Sequence, residues 1–406
     1  MNVTALIRVW LRRGLAPALS LALLAMAGRA EASCSPPAPI NDANVTCTGA
    51  TLNANGTAGY GTVNDRDNTY EIVQGASVTG DNSGLLLSFG TVENSGTILG
   101  NGFFGIDAAS VTLTNRGTIR AMDLGGVGVS ADAVTITNTG TIEAPAYGVR
   151  GANSANVTNV AGGVIRATGV DGVAVNSPKL VVVNSGTITG TVDSVLADAK
   201  ATGTNAGVIG GGTYGIRVGL LANVVNSGII SGTNIGISAP TINLINTGGI
   251  SAGNGVGIGA TALNLDNSGT VAGIQAISVA AATVNNSGTI TGLTQGINAN
   301  QANVQNTGLI QATAGNGTAV VGTSGILEVY NAGTIVSNLG IFSAGAATIM
   351  NSGTVTGTGG TAIRLSNASD TLTLLPGSKI KGTRAAPLPR EGVFASRSKP
   401  ASAPAA

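Results

Sequence analysis

The chain has 406 residues, of which 63 are glycine, 9% are charged and 3% are aromatic. That mixture is foreign to ordinary globular domains, while abundant Val, Ile, Leu and Thr argue against collagen and simple disorder. A net charge of +1, with scattered cations and few aromatics, provides neither a basic stripe nor a base-stacking platform, so nucleic acid is not an expected partner.

Arg8, Arg12 and Arg13 precede an apolar run over residues 15–26, and Ala30-Glu31-Ala32 has the small-x-small form of a signal peptidase site. Residues 1–32 therefore read as an export signal, the apolar run being shorter than the roughly 20 residues that span a bilayer. Cys34 and Cys47 are the only cysteines. Export places them in an oxidising compartment where two nearby thiols pair, so a disulfide clasp is expected; redox chemistry is not, because Cys-x-x-Cys is absent. Residues 33–70, with the polar run at 64–68, suit an N-terminal cap and a first irregular coil.

Residues 71–382 are repetitive. Asn94-Ser95-Gly96-Thr97-Ile98 returns as Asn115-Arg116-Gly117-Thr118-Ile119 and Asn138-Thr139-Gly140-Thr141-Ile142, then at Asn184, Asn205, Asn226, Asn246, Asn267, Asn286, Asn306, Asn331 and Asn351. Spacing is mostly 19 to 23 residues. Asn159 opens a degenerate copy in which Val160 and Ala161 push Gly-Val-Ile downstream, and the intervals after Asn159 and Asn306 stretch to 25, which predicts bulges or loops there. Two residues before each Asn stands Val, Leu or Ile, broken only by Gly203, and four after it stands Ile or Val in all but the degenerate copy. Even offsets of this kind mark one face of a strand, because side chains alternate with period two. A further short strand, as in Gly105-Ile106 or Gly236-Ile237, follows in each copy.

No single copy can bury its apolar face alone, so copies must stack in parallel. The expected fold is all-β: a parallel β-helix, or β-solenoid, of about 13 coils of roughly 21 residues, forming a rod of roughly 60 Å. The twelve asparagines of the undistorted copies should form a structural amide ladder. Gly two places on permits either a corner conformation or a close backbone approach. The Thr column, at an odd offset, should face solvent. After Gly382 the register disappears, and residues 383–406, rich in Pro, Ala and Ser, read as a disordered tail.

Little of this sequence suggests chemistry. Zero His removes Ser-His-Asp and Cys-His catalysis and every His-containing metal site. Gly80-Asp81-Asn82-Ser83-Gly84 reads as a turn, and Gly253-Asn254-Gly255-Val256-Gly257 as a corner without the strand-to-helix setting of a phosphate loop. Asp107, Asp123, Asp132, Glu143, Asp171 and Asp193, with Arg120, Arg150 and Arg166 among them, lie on different coils. Stacking could bring some together as acid and base, so a β-helical polysaccharide lyase or hydrolase is the alternative reading. No catalytic residue, cofactor or metal is expected.

The Asn-Ser-Gly-Thr-Ile repeats, the two early cysteines and the segment Ser366-Asn367-Ala368-Ser369-Asp370-Thr371-Leu372-Thr373-Leu374-Leu375-Pro376-Gly377-Ser378 resemble passenger domains of Gram-negative autotransporters. The resemblance implies a surface-exposed or secreted protein, often an adhesin or virulence factor, carried across the outer membrane by a C-terminal β-barrel. No run of alternating ten-residue strands follows; the sequence instead closes on Lys399-Pro400-Ala401-Ser402-Ala403-Pro404-Ala405-Ala406. The expectation is either a truncated or frameshifted product or a passenger served by a separate outer-membrane translocator: a monomer exported through the inner membrane, reaching the cell surface or the medium if a translocator is supplied and otherwise periplasmic. It would bind a surface ligand, glycan or protein, through its lateral face and loops.

Overall fold

The computed structural model describes residues 33–366 and 369–385. The expected export signal, with Trp10, and all but the first three residues of the expected tail lie outside the described residues. Among the described residues there is no helix, and the chain is a parallel β-solenoid.

Each coil has three sides. In the asparagine coils the first ends on the repeat asparagine, the second carries the Ile or Val that follows the corner, and the third carries a small residue followed by Leu, Ile or Val, as at Gly84-Leu85, Gly105-Ile106, Ala174-Val175 and Ser194-Val195. Successive coils pair in register on all three: Val92 lies beside Leu113 and Ile136 on the first side, Ile98 beside Ile119 and Ile142 on the second, and Leu85 beside Ile106 and Val129 on the third. Because alternate residues point inward, these three columns meet along the axis, and Ile98, Ile106, Ile119, Val129 and Ile142 are fully buried. Gly203 leaves a void of about 20 Å³ beside Val182, Ile209 and Val224.

The stack has about 16 turns, three more than expected. The additional coils lack the Asn-x-Gly signature. Cys47 and Ile72 occupy the asparagine position in the two coils before Asn94, and Leu374 occupies it in the coil after Asn351. Parallel strand pairing therefore begins at Asn44, after a single parallel bridge from Asn41 to Arg66, within the segment expected as a cap and first irregular coil, and 16 turns at about 4.8 Å per turn give a rod of roughly 75 Å. The pairing also runs past Gly382, with Thr383, Arg384 and Ala385 still beside Thr361, Ile363 and Arg364.

Cys34–Ser35 runs antiparallel to Asn44–Cys47, the only described strand pairing of that sense, and the Cys34–Cys47 disulfide joins the two. It thereby covers, at Thr46 and Cys47, part of the free edge that the first coil would otherwise offer to another chain. Beneath it Tyr60 and Tyr70 meet edge to face at 6.2 Å. Asp65, fully buried, accepts from Thr62 Oγ1 at 2.6 Å, and Asn68 Nδ2 donates to the Ile40 carbonyl at 2.6 Å and to Tyr70 Oη at 2.9 Å.

The repeat glycines serve close approach and not a special conformation. None has φ in the left-handed region, yet a Cβ at Gly117, Gly207, Gly228 or Gly269 would sit 2.0–2.1 Å from the carbonyl oxygen of the glycine one coil below. Gly162, in the degenerate copy, is the opposite case: its φ is +85° with open space around it, and it turns the two-residue insertion back into register.

Candidate functional site

The repeat asparagines form one uninterrupted ladder. From Asn94 to Asn351 each Nδ2 donates to the Oδ1 of the next coil's asparagine at 2.7–2.9 Å. Asn115, Asn138, Asn184, Asn205, Asn226, Asn246, Asn267, Asn286, Asn306 and Asn331 all stand in it. So does Asn159, which the degenerate spacing had left out: it bridges Asn138 and Asn184 and is 1% exposed, because the insertion bulges after the asparagine and leaves its own register intact. Each amide also donates to carbonyls at the corner, as Asn226 does to Gly228 and Gly249. At the lower end Asn94 Oδ1 accepts from the Gly96 amide, and at the upper end Asn351 Nδ2 donates to Ser378 Oγ at 2.6 Å. The buried amides are thereby spent on architecture, with their dipoles aligned so that each bond reinforces the next. The Thr column expected to face solvent is half-exposed at Thr97, Thr118, Thr141 and Thr289 and exposed at Thr270.

Of the charged residues that suggested acid and base chemistry, stacking brings three together as an ion-pair ladder. Glu143 lies between Arg120 and Arg166 on adjacent coils. It accepts from Arg120 Nη2 at 2.8 Å and from Arg166 Nη2 on its other oxygen. Burial opposes ionisation of Glu143, but the two guanidiniums outweigh it and hold its pKa below the usual value. Asp193, completely buried, receives Arg217 Nε at 2.9 Å and Nη2 at 2.5 Å, while that guanidinium lies 5.1 Å over the Tyr214 ring. Burial pushes the Asp107 carboxyl up, which suits a proton donor, yet its neighbours in the stack are Leu86 and Ser130. Two of these carboxylates are thus engaged by arginine, and the third has no carboxylate beside it in its column. Among the described residues no cluster of three Asp, Glu or Cys has the arrangement to hold a metal.

A different feature of the lateral face was not anticipated. On the first side, five coils from Asn246 to Asn331 form a groove of about 410 Å³. Two outward columns flank it. Five residues before each ladder asparagine stand Thr241, Ala262, Ala281, Gln301 and Ile326; three before stand Asn243, Asn264, Thr283, Asn303 and Glu328. The groove exists because the first column shrinks to alanine at Ala262 and Ala281, and because the inward floor between the columns changes from Ile242 and Leu263 to Ala282 and Ala302. Its upper wall comes from the turn 323–326, part of the lengthened interval after Asn306, which leaves Ile326 58% exposed. Asn303 Nδ2 donates to Glu328 Oε2 at 2.8 Å, whereas Asn303 Oδ1 is buried without a hydrogen-bond partner. The sequence signal was the pair of alanines at one outward offset, but only stacking shows which columns adjoin.

In comparisons with known proteins, no family model, no curated protein and no solved structure matches the chain.

Proposed function

We propose that this chain is an exported, non-catalytic β-solenoid of the autotransporter-passenger type, which presents its lateral face and corner loops to a ligand on a surface. The observation that supports this reading best is the division of polar groups. The inward amides are consumed by the ladder, Glu143 and Asp193 are consumed by arginines, and the outward columns of the first side lie at the surface over many coils, where a partner can meet them. A binding surface of that kind gains strength from length, with no demand for a precise catalytic constellation. A separate outer-membrane translocator would place the rod at the cell surface or in the medium.

Beads coated with the purified chain should adhere to host cells or to an environmental surface more strongly than beads coated with an unrelated β-solenoid. Equal adhesion of the two would remove the claim of specificity. Fractionation of expressing cells tests the location: protein in the outer-membrane or medium fraction fits the reading, and protein confined to the cytoplasm contradicts it.

A further inference from the structure

We infer that the groove on the first side is a binding site for an extended, uncharged glycan chain lying along the rod axis; this rests on the lateral-face reading above and gives it a ligand class. Three features of the groove select that chemistry. The first is charge. Among the lining residues Glu328 is the sole ionisable group and no cation is present, so uronates, sulfated glycans and nucleic acids meet repulsion with nothing to offset it. The second is hydrogen bonding. Asn243, Asn264, Thr283 and Asn303 repeat an amide or hydroxyl at every coil, about 4.8 Å apart, which matches a polymer that offers hydroxyls at every unit. Asn303 Nδ2 donates to Glu328 on the next coil, so this half-buried side chain is oriented before any ligand arrives.

The third feature is what the surface denies to a peptide. Strands on this side are hydrogen-bonded to a neighbour on each edge, so a peptide cannot add itself as a further strand. The floor at Ala282 and Ala302 is shallow and continuous along the axis, without a separate deep pocket to anchor one large apolar side chain.

The test titrates the full chain by calorimetry with neutral hexasaccharides (cellohexaose, maltohexaose and mannohexaose) and with oligogalacturonate and heparin as charged controls. Two variants probe the groove. Asn303→Ala removes the oriented amide side chain from the groove wall, and Ala281→Gln fills the trough with the side chain that position already carries one coil away at Gln301. Thr112→Gln, at an outward position distant from the groove, is the control. The expected result is binding of at least one neutral hexasaccharide and neither polyanion. Each groove variant should lower that affinity by about tenfold with its melting temperature unchanged, and the control should leave it alone. Preference for a polyanion, or equal affinity in the groove variants, overturns the assignment. The bead assay separates the two levels: adhesion without any hexasaccharide binding overturns the groove and spares the lateral-face reading. Groove-dependent hexasaccharide binding without adhesion supports the groove and contradicts the adhesive role.

Discussion

The first two coils and the thirteen asparagine coils solve one problem with different chemistry. Both must turn a chain through three sides and satisfy buried polar groups at the corner. In the repeats this is done by identity: the same amide one coil above, and the same glycine where no Cβ fits. In the first two coils neighbours are unlike, and the corners use residues in the left-handed region, among them Asp42, Asn53, Asp67 and Gly75. The asparagine position holds Cys47 and Ile72, and the stability a ladder would supply comes from a disulfide, a tyrosine pair and the Asp65 and Asn68 hydrogen bonds. Repetition stabilises the middle of a stack, where each coil has two like neighbours. An end has one, and needs its own chemistry.

The sharpest way to break this comparison is at the glycine column. Gly207→Ala places a methyl against the Gly186 carbonyl, which is itself hydrogen-bonded to the Val208 amide and cannot retreat. A loss of about 3 kcal/mol or more is expected, seen as a split or lowered melting transition by circular dichroism. Next comes the clasp. Replacing Cys34 and Cys47 together by Ser opens a link between residues 13 apart and should cost about 3 kcal/mol, but only locally. Hydrogen exchange should quicken in residues 33–94 and stay unchanged beyond the third coil; a uniform change along the rod would show that the ends and the middle are not energetically separate.

Asn226→Ala removes the acceptor of Asn205 and the donor to Asn246, Gly228 and Gly249. It should cost about 2 kcal/mol in chemical denaturation. Asn351→Leu, next to a coil that already holds Leu374, should cost less. The smallest effect is titration of the cap. Burial, reinforced by Asp65, raises the Tyr60 phenol from 10.0 to about 12, and Tyr70 is raised as well. A raised folded-state pKa means that the neutral phenol stabilises the fold. That contribution is complete below pH 10 and is lost as pH rises toward about 12, so absorbance of phenolate near the cap should appear late and together with faster exchange of the first two coils.

Much of the architecture was legible because its determinants are local and periodic. The offsets −2, 0, +2 and +4 around each asparagine marked a strand, and they became the inward face at Val92, Asn94 and Ile98. What escaped notice shares a cause. Cys47, Ile72 and Leu374 occupy the ladder position without resembling it, and pairing register, which the sequence does not display, is what aligns them. At Asn159 an insertion after the asparagine disturbs the motif, although insertion at a corner leaves the preceding strand in place. The groove was the least legible feature: outward positions vary freely in a solenoid, and Ala262, Ala281, Asn303 and Glu328 gain meaning only as neighbours across coils.

A single amide ladder through the whole repeat region is tested most directly by the exchange of asparagine side-chain amides in the wild-type chain, measured by NMR. One class of thirteen Nδ2 groups is expected, Asn159 included, whose hydrogens exchange far more slowly than those of the surface Asn223 and Asn243 pair. Fast exchange at Asn159, or at several central asparagines, would contradict it.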